Sequence, residues 1–283
     1  GSLMSLVYGL AKAADAGWGA TSTLISFGIA AVLMATFIVN ELRVQYPLIS
    51  LSIFKRRNVS GGTIIQLLMP AAMFGMFFYL SIYMQQILGY TPTMTGVANL
   101  PFTLTIMVIA GVLSRKITKV NPKAVLTIAP LFVAAGLLYF ARIPIHANYF
   151  TDILPGTLLM ASGMAAVFVT ATMATTSGVS HKESGLVSGL LNTGQQVGGA
   201  IGLAVLTVVS TAATKSELLR NGAASQVNAL VHGFHQGFVA AAIIAVIAGA
   251  VALVVFKVHK PSEADLAQEA ETEAEALAAI PGA

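Results

Sequence analysis

An all-α, polytopic membrane bundle of about seven transmembrane helices is the fold class this sequence predicts, on three observations. The first is composition: of 283 residues, 56% are hydrophobic and 9% charged, with a mean hydropathy of +0.82, whereas soluble domains carry about 25% charged residues. The second is run length, because the apolar stretches are long enough to cross ~30 Å of hydrocarbon as helices and lack the ~10-residue alternation of a barrel strand. The third is where the cations fall. One set of connectors holds Arg43, Lys55, Arg56, Arg57, Arg115, Lys116, Lys119, Lys123, Lys182, Lys257 and Lys260, and the alternate set only Lys12, Arg142, Lys215 and Arg220. Cation-rich loops stay cytoplasmic, which places the carboxyl end inside, the start of the chain outside, and an odd number of spans between.

The elements follow in order. Ser5 to Ala14 is too short to span and has no signal-peptide layout, so it is read as the tail of a truncated helix, followed by an external turn over 15–19. Thr23 to Asn40 is the first full span, with Trp18 suited to the interface, and Glu41 to Asn58 is a basic connector. The second span, about Ser60 to Leu88, is long enough to tilt, and Pro70 should bend it. Gln66, Met69, Met73 and Met76 share one of its faces. Such a face has two uses, a pocket for varied apolar ligands or plain core filling.

The third span is about Thr95 to Ser114, with Asn99 and Pro101 in its first half, and the connector after it, RKITKVNPK, contains no acid. The fourth is about Ala124 to Ala141, the fifth Asp152 to Thr176, the sixth Gly185 to Val209 and the seventh Gly237 to Phe256, with Ala213 to Gln236 expected as a polar connector. From Lys257 onward the chain leaves the membrane, and SEADLAQEAETEAEALAA after Pro261 reads as a helix-prone, solvated acidic tail.

The sixth span organises the rest. At about 100° per residue, Ser188, Asn192, Gln195, Gln196 and Gly199 gather on one face, while Gly194, Gly198 and Gly202 recur every fourth residue on a neighbouring one. Glycine at that spacing lets two helix backbones approach closely in lipid. Uncharged amides in a membrane turn toward a water-filled route or bond a neighbouring helix, and both readings fit the polar face.

The missing chemistry narrows function. There is no cysteine, hence neither a disulfide nor a thiolate site. No G-x-S-x-G elbow, phosphate loop or H-E-x-x-H stands in the sequence, so nothing argues for an enzyme, a metal or another cofactor. His232 and His235 are three apart without a carboxylate, an ordinary loop pair rather than ligands, and the other histidines fall in loops or at ends. The net charge of +4 belongs to loops at a membrane surface and not to nucleic-acid binding. No Asp or Glu falls in the middle of a span, where a proton-coupled pathway needs a titrating group. Coupling, if present, resides elsewhere.

Three stretches carry a family resemblance. Tyr79 to Phe102 has Tyr83, Gln85, Gln86, Gly89, Tyr90, Pro92, Gly96, Leu100 and Pro101 at the spacing of the helix-loop-helix that opens the carboxyl half of fourteen-span major facilitator drug:proton antiporters of the EmrB/QacA type, which it resembles. Glu183 to Val205 is similar to that family's E-x-G-x-x-S-G-x-x-N-x-x-x-Q-x-G-G-x-x-G pattern, through Glu183, Gly185, Ser188, Gly189, Asn192, Gln196, Gly198, Gly199 and Gly202. GVLSRKITKVNPK resembles the signature G-x-x-x-D-R-x-G loop in keeping Gly111 and Arg115, but it has Ser114 in place of the acid and lacks the second glycine.

The resemblance implies a carboxyl-terminal portion: a truncated helix end and external loop over 1–22, a central extra transmembrane helix and its connector over 23–58, a six-helix transporter bundle over 59–258, and the acidic cytoplasmic tail over 259–283. It implies multidrug export by proton antiport and alternating access in a bacterial cytoplasmic membrane, with a small hydrophobic or cationic substrate. The proton-coupling residues would lie in the amino-terminal bundle of the same transporter. Gln66, Met69, Met73, Asn99, Asn192 and Gln196 are the expected substrate-cavity residues, Gly111 and Arg115 the gating loop, and Gly194, Gly198 and Gly202 the helix-packing set. A seven-helix receptor or sensor shares the same topology, though the last span lacks a mid-membrane lysine for a Schiff base. An exporter of an endogenous lipid, peptide or siderophore would share the amides as well.

Overall fold

In a computed structural model of the protein, described over residues 1–44, 51–116, 120–176, 181–222 and 226–256, the helices run in order. They are α1 Ser2–Ala16, α2 Thr21–Arg43, α3 Arg57–Ile82, α4 Pro92–Ala98, α5 Leu100–Lys116, α6 Pro122–Phe140, α7 Leu154–Thr176, α8 His181–Asn221 and α9 Gln226–Val255. A 3-10 turn, Leu51–Lys55, precedes α3, while π turns Tyr83–Ile87 and Tyr149–Ile153 extend α3 and lead into α7. Among the described residues no strand occurs, and seven rods are long and apolar enough to cross a membrane: α2, α3 with its π turn, the α4–α5 rod, α6, α7, α8 and α9. The acidic tail over 259–283 lies outside the described residues.

Local chemistry sets the ends. Thr91 Oγ1 accepts the Met94 N–H at 3.2 Å with Pro92 in the first turn, and Asn121 Oδ1 accepts the Lys123 N–H at 3.0 Å with Pro122 beside it; both are side-chain caps followed by a proline that needs no donor there. The third span is broken between α4 and α5 at Asn99, because Pro101 has no N–H to offer the turn before it.

One expectation is corrected. The segment 213–236 is not a polar connector: α8 continues to Asn221 and α9 begins at Gln226. Ala, Lys, Glu, Leu and Arg over this stretch are strong helix formers, and polarity decides how far a rod leaves the hydrocarbon, not where its hydrogen-bond ladder stops. The stop comes at Gly222, whose φ of 76° is left-handed and whose N–H returns to Leu218 O at 3.0 Å. His232 and His235 therefore stand on α9.

The core lies between α3, α6, α7 and α9, where Met69, Met76, Leu137, Met160, Met164 and Phe238 are all buried. Lipid tails are as apolar as these side chains, so the helices hold together by close fit. On the α6–α7 pair a Cβ at Gly163 would stand 2.5 Å from Ala129 O. Aromatic rings join other rods: Phe77 meets Phe102 edge-on at 4.8 Å, linking α3 to α5, and Tyr79 lies 5.7 Å from Phe234 on α9.

The turn between α6 and α7 is fastened by side chains from three sides. Tyr83 Oη donates to Pro144 O at 2.5 Å, His235 Nε2 donates to Ile143 O at 2.9 Å, and Tyr149 Oη donates to Ala98 O at 2.7 Å. Outside the bundle, Ser2 Oγ donates to Ala30 O at 2.7 Å and Ser5 Oγ to Ser26 O at 2.8 Å, making a hairpin of α1 and α2. That hairpin rests on α8 through α1.

Candidate functional site: an amide face on α8

α8 meets α3 through glycine. A Cβ at Gly198 would overlap Leu67 O, and one at Gly202 would overlap Ala71, so neither position accepts a larger residue at this helix spacing; at Gly194 the contact relaxes to 3.5 Å from Thr63 O. All three glycines lie on the buried side of α8. Gly199, grouped by periodicity with the polar stripe, is buried all the same. Phe74 of α3 reaches around to it, and a Cβ there would meet the Phe74 ring at 2.9 Å.

The amides divide into a buried group and an exposed group. Gln66 on α3 is 0% exposed and is bonded across both neighbouring helices: its Oε1 accepts from Gln195 Nε2 on α8 at 3.2 Å, and its Nε2 donates to Thr172 Oγ1 on α7 at 3.5 Å. An amide buried without partners costs free energy, so this pairing is what lets a glutamine sit inside the bundle. Gln195 is half-buried and Thr172 exposed, so the group reaches from the interior to the surface. Beside it, Asn192 and Gln196, one turn apart, are exposed, as is Ser188.

The remaining predicted residues are placed as follows. Met69 is wholly buried in the core, the second of the two uses that a methionine face admits, while Met73 is half-buried against that core. Asn99 is half-buried, and its Nδ2 donates to Thr95 O at 2.8 Å, so this amide serves its own helix rather than the Gln66 group. Gly111 is exposed with open space where a Cβ would stand, and Arg115 is exposed. Among the described residues no ion pair joins Arg115. The ion pair at this basic end is Arg56 Nη2 to Glu183 Oε2 at 3.3 Å, which ties the start of α3 to the start of α8.

Sequence reasoning missed Thr172 and left Gln195 off the site. The Gln195-Gln196 pair announces that one amide turns each way, without saying which is bonded. Thr172 gives less signal, since Thr175 and Thr176 close by return their hydroxyls to the backbone of their own helix, as most membrane threonines do. A hollow of about 450 Å³ lined by Tyr139, Arg142, Pro144 and Asp152 lies away from these amides, at the turn between α6 and α7. Among the described residues no group of three His, Cys, Asp or Glu side chains is placed to hold a metal.

Known proteins are similar to this sequence. Residues 6–203 match the Major Facilitator Superfamily. The puromycin resistance protein pur8 of Streptomyces alboniger is 33% identical over 239 residues, covering 83% of this chain and 47% of that protein. The tetracenomycin C resistance and export protein of Streptomyces glaucescens is 32% identical over 209 residues, 74% of this chain and 39% of that one. The uncharacterized MFS-type transporter EfpA of Mycobacterium tuberculosis is 27% identical over 273 residues, 93% of this chain and 50% of that one. The chain thus spans about half the length of the relatives it matches. With most of its length matched and its helices built to pack in a bilayer, the chain belongs to the Major Facilitator Superfamily.

Proposed function

We propose that this chain supplies one half of a secondary active exporter of small hydrophobic or cationic compounds, working by alternating access. The observation that carries this reading is the open amide stripe of Asn192 and Gln196 beside the cross-bonded Gln195–Gln66–Thr172 group. Exposed amides on a transmembrane rod are disfavoured against lipid and suited to a wetted cleft between two bundles. Two relatives bear resistance or export in their names, puromycin and tetracenomycin C being their compounds, which supports a drug-like substrate here.

In this reading residues 59–258 form one six-helix bundle, α2 is an extra span outside it, and the carboxyl tail is cytoplasmic. Proton antiport needs a titrating group in the pathway, and the other bundle supplies it. The test is efflux of puromycin and of ethidium by the full-length protein carrying Asn192→Leu or Gln196→Leu, at equal membrane expression. Loss of one polar substrate contact at about 1 kcal/mol lowers efflux of at least one compound about fivefold. Unchanged efflux of both by both variants removes this face from the pathway. Collapse of wild-type efflux on dissipating the proton gradient checks the coupling, and a reporter fused after Val255 checks the orientation.

A further inference from the structure

The α6–α7 pair carries a second feature, apart from the amide face. A groove of about 300 Å³ runs along it, lined by Ala124, Val125, Ile128 and Phe132 of α6 and by Ser162 and Ala166 of α7. Its origin is the close backbone approach of Gly163 to Ala129, which draws the two rods together while Ile128 and Phe132, 52% and 47% exposed, stand up as a wall. The lining is almost wholly apolar, since the Ser162 hydroxyl is spent on Leu158 O at 2.8 Å. From Ala124 to Phe132 the trough is about 12 Å long at 1.5 Å per residue, and it opens at the basic end of the bundle.

The α5–α6 connector at that end carries cations and no acid. Lys123, half-buried, directly precedes Ala124, and Arg115 and Lys116 close α5, which packs against α7. Among the described residues none of the three is in an ion pair, and positions 111–123 contain no acid. An apolar trough that starts beside uncompensated cations complements a molecule with a long apolar chain and an anionic head. We propose that the groove holds one acyl chain of an anionic phospholipid, with its phosphate set among Lys123, Arg115 and Lys116. The groove and its test do not rest on the export reading, although Arg115 belongs to the expected gating loop as well.

Native mass spectrometry of the full-length protein, released from detergent with equal phosphatidylglycerol and phosphatidylcholine, tests the proposal. Wild type should retain one phosphatidylglycerol in preference to phosphatidylcholine. Lys123→Gln and Arg115→Gln should each reduce that preference about fivefold, with Lys123→Arg restoring it. Ala166→Phe, which fills the trough, should remove the retained lipid altogether. Equal retention of the two lipids by wild type overturns the proposal, as does a phosphatidylglycerol preference that survives both charge removals. Should Ala166→Phe fail to fold, the charge variants, of which Arg115→Gln alters an exposed side chain, decide the matter alone.

Discussion

α3 and the α4–α5 rod are similarly apolar in sequence, yet 56% of the most apolar stretch of the first is buried and only 6% of the second. The difference lies in residue size. α3 carries Gly61, Gly62 and Gly75, where a Cβ would press on side chains from the end of α9, from α7 and from α8 respectively, so side chains of three neighbours reach its backbone. α5 carries Leu104, Met107, Val108 and Val112 on an exposed side and is linked to α3 through Phe102. Apolarity places a segment in the membrane; side-chain bulk decides which neighbours it can touch, because packing and not water exclusion holds membrane helices together.

The largest effect should come from disturbing the α3–α8 seam. Gly198→Leu places a side chain into the Leu67 carbonyl, and backbone, unlike a flexible side chain, does not yield. Overpacking costs about 1–3 kcal/mol even where side chains can move, so the yield of monodisperse protein in detergent should fall at least tenfold. Gly189→Leu, on the same helix with nothing within 4 Å of its Cβ position, should leave the yield unchanged. Equal yields for the two variants would mean that the seam is not tight.

Next comes the amide brace. Gln66→Leu removes two interhelical hydrogen bonds while keeping similar bulk, and at about 0.6 kcal/mol each the loss is about 1 kcal/mol. Thermal unfolding of Gln66→Leu, Gln195→Leu and the double variant should show coupling, with the double variant less damaged than the sum. Strict additivity would show that the two glutamines do not bond. A smaller effect belongs to the Arg56–Glu183 pair. Its side chains are 47% and 37% exposed, so solvent screening leaves at most a few tenths of a kcal/mol. Glu183→Gln should shift the unfolding temperature slightly at low salt and not at all at high salt.

The same comparison explains how much of the molecule was legible beforehand. The spans were readable because hydropathy is additive along the chain, and the glycine seam because a four-residue repeat stays on one side of a helix whatever its neighbours do. The ends of α8 and α9 were not, since a polar segment of strong helix formers such as 212–220 looks like a loop to a hydropathy argument and like a helix to its own backbone. Gly199 was expected to be open with the polar stripe and is covered, because its contact comes from Phe74, a partner more than a hundred residues away in sequence, about which local periodicity carries no information. Within the candidate site, the types of the polar residues were readable. Their pairing was not, because Gln66 chooses Gln195 over its neighbour Gln196 by the rotation of α8 about α3, a tertiary quantity.

The smallest effect should be found on α5. Met107 and Val108 are 64% and 58% exposed, and truncating either removes atoms that face lipid or detergent equally in the folded and loosened states. Met107→Ala and Val108→Ala should therefore change thermal stability by less than about 0.5 kcal/mol, whereas a buried Met69→Ala should cost about 2–5 kcal/mol through the cavity it leaves. Measuring all three in the full-length protein gives the comparison its sharpest form. A loss of more than about 1 kcal/mol at Met107 or Val108 would reveal a tightly packed neighbour on α5, and its bareness would then belong to this chain alone rather than to the full-length protein.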